Sequence, residues 1–222
     1  MKLLEDLGIT PNNEKLYTKA FTHTSYANEN DTTSYERLEY LGDAVLELII
    51  SEYLYKNTEY EEGEMTKLRS HYVCENALYE YSIRLRFNEY LLLGHGEEES
   101  GGRFRKAIVA DIFEAFLGAL FLDKGMEECS KFIYANVIPL IESKEIDFFD
   151  DYKSVLQELV QTDKRSLEYT VVSEEGPAHN KTFTVHVKID NILYGVGEAH
   201  SKKEAEQMAA KDALKKAQMN NL

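Results

Sequence analysis

Cysteine is scarce: the 222-residue chain has two, Cys74 and Cys129, far apart and outside any CxxC or Cys/His cluster. That excludes a disulfide framework and a zinc site, and points to two reduced thiols in a reducing compartment. Long apolar runs are also missing. Nothing approaches the roughly 20 residues needed to cross a bilayer. The amino terminus, MKLLEDLGITPNNEK, has no apolar stretch of signal length, so a cytoplasmic protein with no membrane partner is expected. Basic charge is short as well. With 25 Lys and Arg against 40 Asp and Glu the net charge is −15, which alone argues against a nucleic-acid partner, because phosphate binding draws on Lys and Arg. The deficit is uneven. Residues 151–222 hold 10 basic and 11 acidic side chains, leaving 15 against 29 for the rest, so the acidity belongs to the first two thirds.

What the chain does have is helical spacing. YERLEYLGDAVLELIISEYLYKN, MTKLRSHYVCENALYEYSIRLR, AIVADIFEAFLGALFLDK and EECSKFIYANVIPLIES all repeat apolar residues at helical intervals, with no alternating strand among them. Gly-containing breaks separate them, and GHGEEESGGRFRK, from Gly94, reads as a charged, flexible loop. Near IDFFDD the texture changes. A helix, YKSVLQELVQT, precedes three alternating runs, LEYTVVS, KTFTVHVKI and ILYGVGEA, and an alanine-rich helix that Ser201 can cap. The expected architecture is an all-α domain over 1–146 and a small α+β domain, α-β-β-β-α, over 151–222.

The run ERLEYLGDAVLE places Glu36, Glu39, Asp43 and Glu47 at about 0°, 300°, 340° and 20° around a helix, one narrow strip. A solvated acidic face is the plain reading. Against it, Glu39/Asp43 and Asp43/Glu47 are like-charge i,i+4 pairs, and Tyr40, Leu46 and Ile50 flank the strip as apolar shoulders, as if something covered it. In AIVADIFEAFLGALFL the polar side chains are Asp111 and Glu114, on a helix apolar nearly all the way round, with no Lys or Arg between Lys106 and Lys124. Buried carboxylates must be protonated, paired or metal-bound. Two facing strips, Glu39/Asp43 and Asp111/Glu114, would converge oxygens on a hard divalent cation, of which Mg2+ fits best.

ERLEYLGDAVLE resembles the signature of the ribonuclease III family. THTSYANE (22–29), EEGEMTKLRS (61–70), GEEESGGRFRKAIVADIFEAFLGAL (96–120) and the whole carboxy-terminal domain are similar to the bacterial form in order and spacing. Thr24, Tyr40 and Ala107 depart from commoner residues, while all four central carboxylates are intact. The resemblance implies that Glu39, Asp43, Asp111 and Glu114 are catalytic, with Glu39, Asp111 and Glu114 as metal ligands and Mn2+ as a substitute for Mg2+. It implies auxiliary acidic roles for Glu62 and Glu36 and insertion of Tyr40 into a partner subunit; Glu47 has no such match, so the solvated-face reading holds there. Gly42 resembles a small residue that allows close packing.

The second domain is similar to double-stranded-RNA-binding domains. That likeness assigns duplex contacts to Ser154, Gln157, Glu158 and Gln161 on the first helix, to His179 in the GPAHNKTF turn, and to Lys202 and Lys203 at the start of the last helix. Such contacts span about 16 bp and read shape. The other histidines, His23, His71, His95, His186 and His200, show no ligand spacing and receive no role. Together these features imply a homodimeric endonuclease cutting both strands of duplex RNA. It would leave 5′-phosphate and 3′-hydroxyl ends with short 3′ overhangs, and act on rRNA precursors and other structured transcripts without a small-molecule cofactor. The loop bearing Ser100, Arg103 and Arg105 either contacts RNA near the cut or is merely flexible. A duplex-binding protein that does not cut would lack a carboxylate. A helical Mg2+-dependent pyrophosphohydrolase would lack the second domain.

Overall fold

The computed structural model describes residues 1–143, 152–162, 164–177 and 181–219. It divides into two units, Met1–Phe148 and Phe149–Leu222. The expected domain edges at 146 and 151, and His179, lie outside the described residues.

The first unit is helical: α1 (Lys2–Asp6), α2 (Glu14–Ala20), α3 (Thr24–Glu29), α4 (Glu36–Asn57), α5 (Glu62–Tyr72), α6 (Glu75–Arg84), α7 (His95–Glu99), α8 (Lys106–Lys124), α9 (Met126–Asn136) and α10 (Ile138–Ser143). Helix α8 is the hub because its sequence is apolar on every side. From Ile108 to Leu120 it buries all but Asp111 and Glu114, and α2, α4, α6 and α9 surround it. Rings fill the space between them: Phe87 and Phe116 stand 4.8 Å apart, and Phe21 meets Phe87 edge-on at 5.4 Å. Such pairs each add about 0.5–1.5 kcal/mol beyond their buried area. Asp123, near the end of α8, accepts hydrogen bonds from the Asn12 and Asn13 nitrogens and the Tyr17 hydroxyl at 2.8–3.0 Å, pinning the start of α2.

Two of the long helical runs break where periodicity shows no break. Between α5 and α6 the chain leaves the helix at Val73 and Cys74, and the buried Tyr81 hydroxyl donates to the freed Tyr72 carbonyl. Between α9 and α10, Pro139 lies in the first turn after the break; proline has no N–H to continue a preceding helix but is tolerated at a helix start. Among the described residues no helix is long and apolar enough to cross a membrane.

The second unit comprises α11 (Tyr152–Thr162), β1 (Leu167–Glu175), β2 (Thr182–Ile189), β3 (Ile192–Ala199) and α12 (Lys202–Met219). The strands form an antiparallel sheet in the order β1-β2-β3. Asp190 and Asn191, both at positive φ, close the two-residue hairpin between β2 and β3. Val185, Val187 and Ile189 point into a core shared with Leu156 and Val160 of α11 and Ala205, Ala209 and Ala213 of α12. The alanines have a structural reason: a methyl on Gly195 or Gly197 would meet the Ala209 or Ala205 carbonyl oxygen at 2.2 or 2.1 Å, so α12 lies almost directly on β3. Ser201 caps α12 as expected, its hydroxyl accepting from the Glu204 nitrogen at 3.2 Å.

Candidate active site

Two glycines let α4 and α8 approach until their backbones touch. A methyl on Gly42 would sit 1.7 Å from the Glu114 carbonyl oxygen, and one on Gly118 2.1 Å from the Leu38 carbonyl oxygen. This crossing brings the pair Glu39 and Asp43 to the pair Asp111 and Glu114. Burial pushes Glu39 up to about 7, with Asp111, Glu36 and Asp43 adding their charge. Burial pushes Glu114 further, to about 8, helped by Asp43, Glu39, Asp111 and Glu47. Asp111 is raised by burial and partly relieved by a hydrogen bond from the Tyr35 hydroxyl and by nearby His23. Asp43 is the exposed member.

Among the described residues no Lys or Arg forms an ion pair with any of the four. As they stand, no three His, Cys, Asp or Glu side chains among the described residues are disposed to hold a metal ion. The acids share one region without closing on one point.

Around this cluster the remaining candidates separate. Glu36 is exposed, takes a hydrogen bond from Ser34 at 2.7 Å, and acts electrostatically on Glu39. Glu47, expected on the surface, is half-buried and adds to the repulsion on Glu114. Glu62 heads α5 and lines a groove of about 500 Å3 with Leu48, Ser51, Tyr55, Met65 and Arg69; it is not among the charges that shift Glu39 or Glu114. Tyr40 is 83% exposed. The other apolar shoulders need a correction: Leu46 and Ile50 are fully buried in this chain's own core, whereas Leu48 between them is exposed. Periodicity gives the face of a helix but not which neighbour covers it.

The segment from Gly94 is also corrected from a flexible loop. Glu29 accepts the His95 N–H that opens α7, and a 3-10 turn follows at Gly102–Phe104. Arg103 grips both Glu98 oxygens and the Asn88 carbonyl, while Arg105 pairs with Glu97 and donates to Ser100. Both arginines are engaged in ion pairs within the segment. Sequence reasoning missed Tyr35 and His23. Tyr35 is buried, and its hydroxyl donates to Asp111 Oδ2 at 3.1 Å across 76 positions of sequence. Its adjacency to the acidic strip was the one available signal.

In the second unit Ser154, Gln157, Glu158 and Gln161 share the exposed side of α11, opposite buried Tyr152, Leu156 and Val160. Lys202 and Lys203 are exposed in the first turn of α12. Lys202 pairs with Glu174 at 2.6 Å and lies 5.3 Å from the Phe183 ring. Cations at a helix start favour phosphate through both side chain and backbone.

A family model described as Ribonuclease-III-like matches residues 13–141, and one described as Double-stranded RNA binding motif matches residues 152–217. A Bacillus cereus protein named Ribonuclease 3 is 50% identical over 217 residues, covering 96% of this chain and 89% of its own. A Bacillus licheniformis protein of the same name is 49% identical, covering 100% and 91%. Among solved structures, the nuclease domain of ribonuclease III from Campylobacter jejuni, which has structural flexibility in a region involved in its dimer formation, is 33% identical with a TM-score of 0.58, covering 61% of this chain and 94% of that one. The helical unit with its crossed acidic pairs, the α-β-β-β-α unit that follows it in sequence and these matches agree, and the chain belongs to the ribonuclease III family of double-stranded-RNA endonucleases.

Proposed function

We propose that Glu39, Asp43, Asp111 and Glu114 are the catalytic carboxylates, and that Glu39, Asp111 and Glu114 hold Mg2+, with Mn2+ as a substitute. The observation that carries this reading is the Gly42/Gly118 crossing, which sets half-buried Glu39 and Glu114 beside Asp43 and Asp111 with no Lys or Arg paired to them among the described residues. Such a cluster is costly to ionise, and protons or a cation relieve that cost. Oxygen donors alone, on two rigid helices, suit a hard divalent ion. When bound, that ion supplies charge against the phosphate and an acidified water for attack.

The side chains have separable tasks. Glu39 and Glu114 give up protons to take the cation, and together with Asp111 they fix its position through the Gly42/Gly118 crossing. Asp43, the exposed acid, is the first that an RNA backbone meets and is assigned to orienting the attacking water. Glu36 and Glu62 are assigned auxiliary acidic roles. The acidic helical unit repels phosphate until the cation is in place, so duplex capture falls to the second unit, through Ser154, Gln157, Glu158 and Gln161 on α11, Lys202 and Lys203 on α12, and His179. Hydrolysis then leaves a 5′-phosphate and a 3′-hydroxyl.

A homodimer supplies one site per strand and accounts for short 3′ overhangs. The exposure of Tyr40, together with exposed Leu48 and Tyr55 on the same helix beside the groove, supports α4 as the contact. Precursor rRNA and other structured transcripts in the cytoplasm are the proposed substrates. The test is end-labelled duplex RNA incubated with the wild type and with Glu114→Ala, with Mg2+ or chelator. Cleavage is expected from the wild type with metal alone, with duplex binding retained by the variant. Intact RNA under every condition refutes the proposal.

A further inference from the structure

The run Thr22–Glu29 has no part in the chemistry above, yet it is bonded on both sides. The Thr22 carbonyl accepts the Tyr35 N–H at 2.9 Å, and the His23 ring lies 5.8 Å from the Tyr35 ring. Ser25 accepts the Gly94 N–H at 2.8 Å, and the Glu29 carboxylate accepts that of His95. The segment thus grips Tyr35 from one side while holding the segment that leads into α8.

Tyr35 uses this support at one atom. Its ring is buried, and its hydroxyl donates to Asp111 Oδ2 at 3.1 Å. Among the described residues no other hydrogen bond reaches the Asp111 carboxylate, so Oδ1 is left unengaged. A carboxylate held through one oxygen by a rigid donor presents the other in a fixed direction, as outer-shell partners of metal ligands do. A phenol suits the task, because it donates a hydrogen bond without neutralising the charge that a cation needs, as Lys or Arg would.

We propose that Tyr35 is a positioning residue, its hydroxyl turning Asp111 Oδ1 toward the divalent cation, with Thr22 and His23 fixing Tyr35. The proposal rests on the reading that the four carboxylates bind a cation. Tyr35→Phe removes the hydroxyl and keeps the ring. Calorimetric titration of the full chain with MnCl2, without RNA, should show affinity weakened roughly ten-fold or more. The Mg2+ concentration for half-maximal cleavage should rise by the same factor, with cleavage recovering at saturating metal. In an Asp111→Asn background the same substitution should change Mn2+ affinity no further. A wild type that takes up no Mn2+ refutes the cation reading itself. If the wild type binds and Tyr35→Phe binds equally well, or weakens binding equally in both backgrounds, the hydroxyl does not act through Asp111 and the proposal is overturned.

Discussion

Replacing Glu114 by glutamine should make the cation-free helical unit more stable at pH 8.5, although it removes cleavage. Glu114 is mostly buried and is pushed from an ordinary 4.5 to about 8 by burial and by Asp43, Glu39, Asp111 and Glu47. The folded chain therefore holds this proton more tightly than the unfolded chain. Stability from Glu114 is fully present below 4.5 and is lost as pH rises to about 8. At 1.36 kcal/mol per unit, the full loss would be roughly 5 kcal/mol. Water still reaches the site and mutually repelled side chains turn away, so about 2–3 kcal/mol is a better expectation. The glutamine amide in Glu114→Gln does not titrate and should escape this penalty.

The measurement is thermal unfolding of the full chain in chelator at pH 5 and pH 8.5, following the transition of the helical unit. Wild type and Glu114→Gln should differ little at pH 5. At pH 8.5 the variant should melt higher by about 5–10 °C for a unit of this size. Divalent cation should then raise the wild type, through binding to the folded state alone, and leave the variant nearly unmoved. A variant that melts at or below the wild type at pH 8.5 without metal would show that Glu114 is not under electrostatic stress, and the argument for a cation site would lose its main support.

Two further substitutions probe how the site is built. Gly42→Ala adds one methyl that meets backbone atoms of Glu114 and Gly118 at 1.7 and 2.9 Å. Neither can turn aside, so α4 and α8 must separate. A loss of about 3 kcal/mol is expected in urea unfolding, with cleavage falling although every carboxylate remains; an unchanged midpoint would contradict the packing. Tyr40→Ala should leave monomer stability unaltered, since the ring is 83% exposed. It should raise the dimer dissociation constant by on the order of 100-fold in sedimentation velocity, the scale of an interface hot spot; an undisturbed dimer would remove Tyr40 from the interface.

The helices α4 and α8 and the α-β-β-β-α unit were legible because each repeats its apolar residues at the period of its own structure. The acidic strips were legible for the same reason. What escaped was decided between segments. The break after Tyr72 depends on the Tyr81 hydroxyl, and the order of the segment after Gly94 depends on Glu29 and on Arg103 with Glu98, five residues apart and off any helical repeat. Tyr35 touches Asp111 at a separation of 76 residues, which no local pattern records. Leu46 and Ile50 looked like shoulders awaiting a second chain because a helical wheel shows direction and not distance, and α8 was already there.

A cluster of like charges has to be held together by something other than charge, and this explains why its acids sit on the most apolar helix of the chain. Ionising Glu114 and Glu39 where they are buried beside like charges costs on the order of a few kcal/mol. Against it, Ile112, Phe113, Phe116 and Leu117 of α8 are fully buried, each stabilising the fold by about 1.5–3 kcal/mol. Burial on one helix therefore outweighs repulsion several-fold, and the acids cannot escape by unpacking it. Gly42 and Gly118 remove the other escape, since backbones in contact leave α4 and α8 no freedom to slide apart without giving up that burial. The remaining response is local, in side-chain rotation or proton uptake, and both are reversed when a cation binds. The stress is thus stored where a divalent ion can release it, which makes the packing of α4 on α8 part of the affinity of the site.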